Sequence, residues 1–199
     1  MSEPTQTSQN PLLRTKLHCP VVPKDFLCRP RLHDLMNLGL ELPLTLVSAP
    51  AGYGKSLLVS DWVASQSVPC AWLPLDASDS AVDLFVDYLL AAVETVVPGA
   101  CPQTRRMAQA PEPLPTAVLS NSLSNELDAL TSPVVLVLDD YHRIRGESEE
   151  VHELMRSCWC TRQGACVLCG DAPILPWVRS GRTSRRPERP CSGGWRSQP

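Results

Sequence analysis

The stretch Ala49-Pro50-Ala51-Gly52-Tyr53-Gly54-Lys55-Ser56 constrains this chain more than any other. It follows an apolar run from Leu42 to Val47 and opens a helical pattern from Ser56 to Ala64. A strand, a glycine-bearing loop and a helix, in that order, form the setting in which a loop wraps a phosphate. Gly54 lets the backbone turn its N–H groups toward an anion, and the helix N-terminus adds the positive end of its dipole. Lys55 is placed to reach the β- and γ-phosphates of a nucleotide, and the Ser56 hydroxyl to ligate Mg2+. Ala49 stands where a glycine is usual, which is tolerable only if that residue keeps a negative φ. An ordinary strand–helix turn carrying two glycines competes with this interpretation of the motif alone.

A second element weighs against the plain turn. Val134-Val135-Leu136-Val137-Leu138 is an unbroken apolar run rich in β-branched residues, the pattern of a buried parallel strand. Asp139 and Asp140 end it, where open α/β sheets bind ligands. In P-loop NTPases an acid at such a strand end helps to hold Mg2+. Read singly, the two acids would be a strand-ending turn with a helix cap.

The rest of the body alternates strands and helices. A mostly extended arm is expected over 1–28, where Pro4, Pro11, Pro20 and Pro23 oppose helix. A short helix is expected over 32–40, a strand over 42–48 and the loop's helix over 55–66. A second strand covers 69–75, and Asp76-Ala77-Ser78-Asp79 supplies a turn with a helix cap. Val82, Phe85, Val86, Leu89, Leu90 and Val93 recur at helical spacing, giving an amphipathic helix over 80–97. A proline-rich loop is expected over 98–115, then helices over 116–130 and 147–156 around the strand ending at Asp139. This order predicts a parallel sheet with helices on both faces.

Charge and cysteine usage divide the chain. Residues 1–156 hold 11 Lys+Arg against 19 Asp+Glu, whereas 157–199 hold 7 arginines against 2 acids. Five of nine cysteines and three of five tryptophans fall in those last residues, with few aliphatics to build a core. No run approaches the roughly 18 apolar residues of a membrane span, and Met1 to Asn10 lacks a signal-peptide pattern. A cytoplasmic setting with reduced thiols is the expectation.

The body resembles the N-terminal ATPase module of the large ATP-binding transcriptional regulators of LuxR type, the MalT-like activators. These belong to the signal-transduction ATPases with numerous domains (STAND). The resemblance rests on Thr15-Lys16-Leu17-His18, Arg29-Pro30-Arg31-Leu32, Leu44 to Ser56, Ala71-Trp72-Leu73, Leu75-Asp76, Tyr88 to Ala92 and Leu136 to His142. It covers about residues 15–156, and an alanine at the Ala49 position is usual in that family. It implies a partial P-loop domain over 29–156 that binds ATP with Mg2+. There Ala49 to Ser56 would form the nucleotide loop, and backbone N–H groups of Gly52 to Ser56 would cradle phosphate. Ser56 and Asp139 would hold Mg2+, and Asp140 would orient water. Arg29 and Arg31 could line the nucleotide or simply stand solvated beside a helix start. Tyr141 and His142 fit packing or polar roles near the site better than catalysis. Family members follow the module with a helical region, a superhelical sensor and a DNA-binding helix-turn-helix. ATP binding acts there as a switch toward a self-associated form, with slow hydrolysis. This chain reads as the module alone, so weak or absent ATPase activity, no specific DNA binding and doubtful self-association are implied.

The resemblance stops near Arg156, where the family continues toward a strand ending in an arginine and a short Asp-Pro segment. Read one base earlier, the codons across Cys158-Trp159-Cys160-Thr161 admit Leu-Val-His or Leu-Val-Tyr, and those from Ala165 onward admit Leu-Arg-Leu-Val and then Arg-Pro-Asp-Pro. The expectation is therefore an out-of-frame, irregular tail over 157–199, disordered from 179. A non-functional truncated fragment is one alternative, and the tail offers two more. Cys158, Cys160, Cys166 and Cys169 could hold Zn2+, or the Arg179–Arg189 cluster could make a sequence-blind contact with nucleic acid or an anionic surface. Val167-Leu168 is the only apolar pair available for a strand beside Asp139, so an incomplete sheet and an aggregation-prone fragment are expected.

Overall fold

The computed structural model describes residues 12–144, 148–158 and 164–171. The helices are α1 (Pro30–Gly39), α2 (Lys55–Ala64), α3 (Val82–Val96), α4 (Pro102–Ala108), α5 (Thr116–Asp128) and α6 (Glu149–Cys158). The strands are β1 (Leu44–Ser48), β2 (Cys70–Pro74), β3 (Val134–Asp139) and β4 (Gly164–Gly170). All pairings are parallel, in the order β1-β4-β3-β2. This is the α/β, P-loop NTPase-type architecture that the alternating pattern predicts.

Each face of the sheet has its own core. Leu136, Leu138, Cys166 and Leu168 pack with α3, α5 and α6 on one side. Val135, Val137, Val167 and Cys169 pack with Met36 of α1 and Leu58, Val59 and Trp62 of α2 on the other. Successive residues of β3 and β4 thus go to opposite cores, as a period of two requires.

The central slot of the sheet is filled, so over residues 164–170 a strand stands where an irregular stretch was expected. Helix α6 continues to Cys158, and the seven residues of β4 lie between β1 and β3. Leu44 to Ser48 align with Cys166 to Gly170, and Val134 to Leu138 with Gly164 to Leu168. The backbone groups of β1 and β3 that an empty slot would leave without partners therefore have them. Cys166 and Cys169 make this possible by acting as small apolar side chains, each fully buried.

Their placement also overturns the four-cysteine zinc site. Cys166 and Cys169 lie three residues apart on one strand and enter opposite cores, so they cannot grip one ion. Burial raises both thiols. Cys158 is buried against the Ser120 carbonyl of α5 at 3.6 Å. Cys160, the Arg179–Arg189 cluster and the expected disorder beyond residue 179 lie outside the described residues.

Two further elements differ from expectation. Arm residues Arg14–Leu17 form a 3-10 turn docked on the body, with Lys16 Nζ 2.8 Å from Asp76 and 2.5 Å from Asp79. The proline-rich loop contains α4, whose first N–H groups, on Gln103 and Thr104, donate to the Glu126 carboxylate of α5 at 2.8 and 2.9 Å. No described helix is long and apolar enough to cross a membrane.

Candidate functional site

The C-terminal ends of β1, β3 and β4 gather the chemistry-bearing residues at one edge of the sheet. Strand β1 delivers the chain into the loop Ala49 to Gly54, and α2 starts at Lys55. Gly52 and Gly54 have φ of +82° and +74°, and a Cβ at either would meet nothing within 4 Å. Backbone conformation, not space, calls for glycine there. Ala49 is not among the residues with positive φ, so its Cβ costs nothing at that position.

Lys55 opens α2 and is largely buried. Its ammonium folds back over the loop and donates to the carbonyls of Ala49 at 2.8 Å and Pro50 at 3.1 Å. A third donation, at 2.6 Å, goes to Oδ1 of Asp171, one residue beyond β4. Ser56 donates its hydroxyl to Asp139 Oδ1 at 3.0 Å, tying the start of α2 to the end of β3. The same carboxylate oxygen accepts from the Asp140 backbone N–H at 3.0 Å. Asp139 is buried, and that burial, ahead of the opposing Ser56 hydrogen bond, raises its pKa above the usual carboxylate value.

Asp140 turns the chain with φ of +55°, a left-handed conformation that aspartate tolerates better than most residues. Its side chain points outward, 3.9 Å from His142 Nδ1 and 3.4 Å from Arg143 Nε. The opposite edge of the His142 ring lies 3.7 Å from Asp171. Tyr141 is fully buried and shares a 2.9 Å hydrogen bond with His152 of α6, which makes it a packing residue. Tyr53 extends into solvent. Arg29 and Arg31 are exposed at the start of α1, apart from this hydrogen-bonded cluster.

The structure therefore brings together Lys55, Ser56 and Asp139, with Asp140 adjoining. It adds one residue that sequence reasoning missed, Asp171. Its hydrogen bond with Lys55 holds its carboxyl below the usual range. The one signal for it was its place just after Cys166 to Gly170, a stretch the codon pattern assigned to an out-of-frame tail.

The chain is 35% identical over 145 residues to the HTH-type transcriptional regulator MalT of Yersinia pestis (strain Pestoides F) and of Yersinia pseudotuberculosis serotype O:1b. The MalT of Yersinia enterocolitica serotype O:8 matches equally well. The chain is similar to a part of these MalT regulators. The matches take in 73% of this chain and 16% of the length of those relatives, so MalT similarity bears on this module and not on the remainder of such a regulator. No protein-family model matches the chain.

Proposed function

We propose that this chain is the nucleotide-binding module of a MalT-like transcriptional regulator, a switch that binds ATP with Mg2+ and hydrolyses it slowly or not at all. The observation that carries the reading is the Ser56 hydroxyl 3.0 Å from the buried Asp139 carboxylate, beside Lys55 on a loop of two left-handed glycines. A hydroxyl and a carboxylate are hard oxygen donors and suit Mg2+. When bound, that ion would supply charge neutralisation between the phosphates. In this reading Ser56 and Asp139 hold it, Lys55 neutralises phosphate, and backbone N–H groups of Gly52 to Ser56 cradle it. Asp140, on the rim, orients water.

Nucleotide binding in this form requires Lys55 to exchange its Asp171 carboxylate for a phosphate. Asp171 sets a negative charge beside Lys55, which favours weak nucleotide affinity and slow hydrolysis. Specific DNA recognition is not proposed for the described residues.

Mg-ATP should raise the melting temperature, because a ligand that binds only the native state stabilises it, by about 2.7 kcal/mol at a hundred times Kd. Lys55→Ala should abolish the shift. An equal shift in the variant would refute the assignment.

A further inference from the structure

Away from the loop, a different set of side chains converges where the arm, α1 and α2 meet. Cys28 lies two residues before α1, His33 is in the first turns of α1, and Asp61 is in the second half of α2. One ligand atom from each, a sulfur, an imidazole nitrogen and a carboxylate oxygen, all lie within 4.8 Å of one another. His33 Nε2 is 3.1 Å from Asp61 Oδ2. Both atoms are buried, and their alignment does not meet the requirement of a hydrogen bond, so each is left without a hydrogen-bond partner. The pair is an ion pair when the imidazole is protonated; with a neutral imidazole, the nitrogen and the oxygen are two adjacent ligand atoms without a hydrogen-bond partner.

We propose that Cys28, His33 and Asp61 form a Zn2+ site that pins the arm and α1 to α2. Sulfur, imidazole nitrogen and carboxylate oxygen are the ligand types zinc takes, and a thiolate disfavours Mg2+ or Ca2+. Bonds of about 2.0–2.3 Å at a tetrahedral centre set ligand atoms about 3.3–3.8 Å apart. The His33–Asp61 spacing is already near that range. Cys28 is exposed and is the ligand that can swing inward to close the triangle. One thiolate and one carboxylate balance the charge of the ion, and water completes the fourth position. Metal binding displaces the thiol proton to solvent.

The test uses the full chain, reduced, stripped with chelator and titrated first with Co2+ and then with Zn2+. The expected result is one equivalent of tightly bound metal, with the near-ultraviolet thiolate-to-Co2+ absorption of a sulfur ligand and a visible band of tetrahedral geometry. Zn2+ should displace both bands. Cys28→Ser should remove the thiolate band, and Asp61→Asn should weaken Zn2+ binding by more than the roughly 10–100-fold that loss of an outer-shell partner costs. Cys28 is exposed, so Cys28→Ser should melt like the parent in chelator. Lys55→Ala should leave the metal site intact, which separates this result from nucleotide binding. Absence of the thiolate band from the parent chain, or its persistence in Cys28→Ser, would overturn the proposal. The second result would place the metal on other cysteines.

Discussion

The two faces of the sheet are built to different depths. On one, α3 buries Phe85, Val86, Leu89, Leu90 and Val93, and α5 and α6 add Leu123, Leu127, Leu154 and Met155. On the other, α1 contributes only Met36 and Gly39 as buried residues, while Leu35 and Leu38 stay exposed. Lys55, Ser56 and Asp61 all ride on α2, which packs on this thinner side. The deep face holds the fold while the thin face carries the chemistry. Such a division lets the loop rearrange without opening the main core.

Substitutions at matched positions test that division most directly. Phe85→Ala should cost about 3–5 kcal/mol in urea unfolding, because a fully buried ring on the deep face leaves a cavity. Met36→Ala, at the margin of the thin face, should cost about 2 kcal/mol, the low end for such truncations. Equal losses would break the comparison.

Next in size is the arm's anchor on the deep side. Lys16→Ala strands the fully buried Asp79 carboxylate and should cost about 3 kcal/mol, the low end for breaking a buried pair. The Lys16 hydrogen bond, with Ser78 and the Lys16 charge, holds Asp76 at about 2 against an ordinary 3.8. A carboxyl depressed by folding stabilises fully above its unfolded pKa and loses that contribution as pH falls through the folded value. The arm should therefore stay docked above about pH 4 and loosen toward pH 2. Proteolysis of the arm across that range would detect the change, and an arm equally resistant at pH 2 would contradict it.

Glu126→Gln should cost about 1 kcal/mol, since the amide oxygen caps the start of α4 less well than a carboxylate. The loss would appear as faster amide exchange at residues 103–106, with the rest of the deep face unchanged. Exchange that quickened across α3 as well would mean that α4 is part of the main core.

The smallest stability effect is expected at Asp171, where the readout is affinity. Asp171→Asn removes the carboxylate that engages Lys55 and should tighten Mg-ATP binding severalfold by calorimetry, with little change in melting temperature. Because the Lys55 hydrogen bond depresses the Asp171 carboxyl, that competition persists at neutral pH and fades only in acid. Weaker binding in the variant would show that Asp171 assists the nucleotide.

The loop and the strand that faces it were legible from the residues alone. Positive-φ glycines at 52 and 54, a lysine and serine opening a helix, and an apolar run ending in Asp139 are local patterns with a narrow set of physical solutions. The period of α3 was equally legible, because its buried residues recur every three or four positions. Three features depended on tertiary structure. Helix α4 starts at Pro102, and its first N–H groups are capped by Glu126, more than twenty residues away. Strand β4 has glycine at both ends and two cysteines within it, a weak strand by composition, yet unpaired backbone on β1 and β3 draws it into the central slot. Asp171 meets Lys55 only because that slot is filled, bringing residues 116 positions apart into one ion pair. Local sequence encodes conformations that a few neighbouring residues can satisfy alone; partners brought together by a sheet are decided when its strands close.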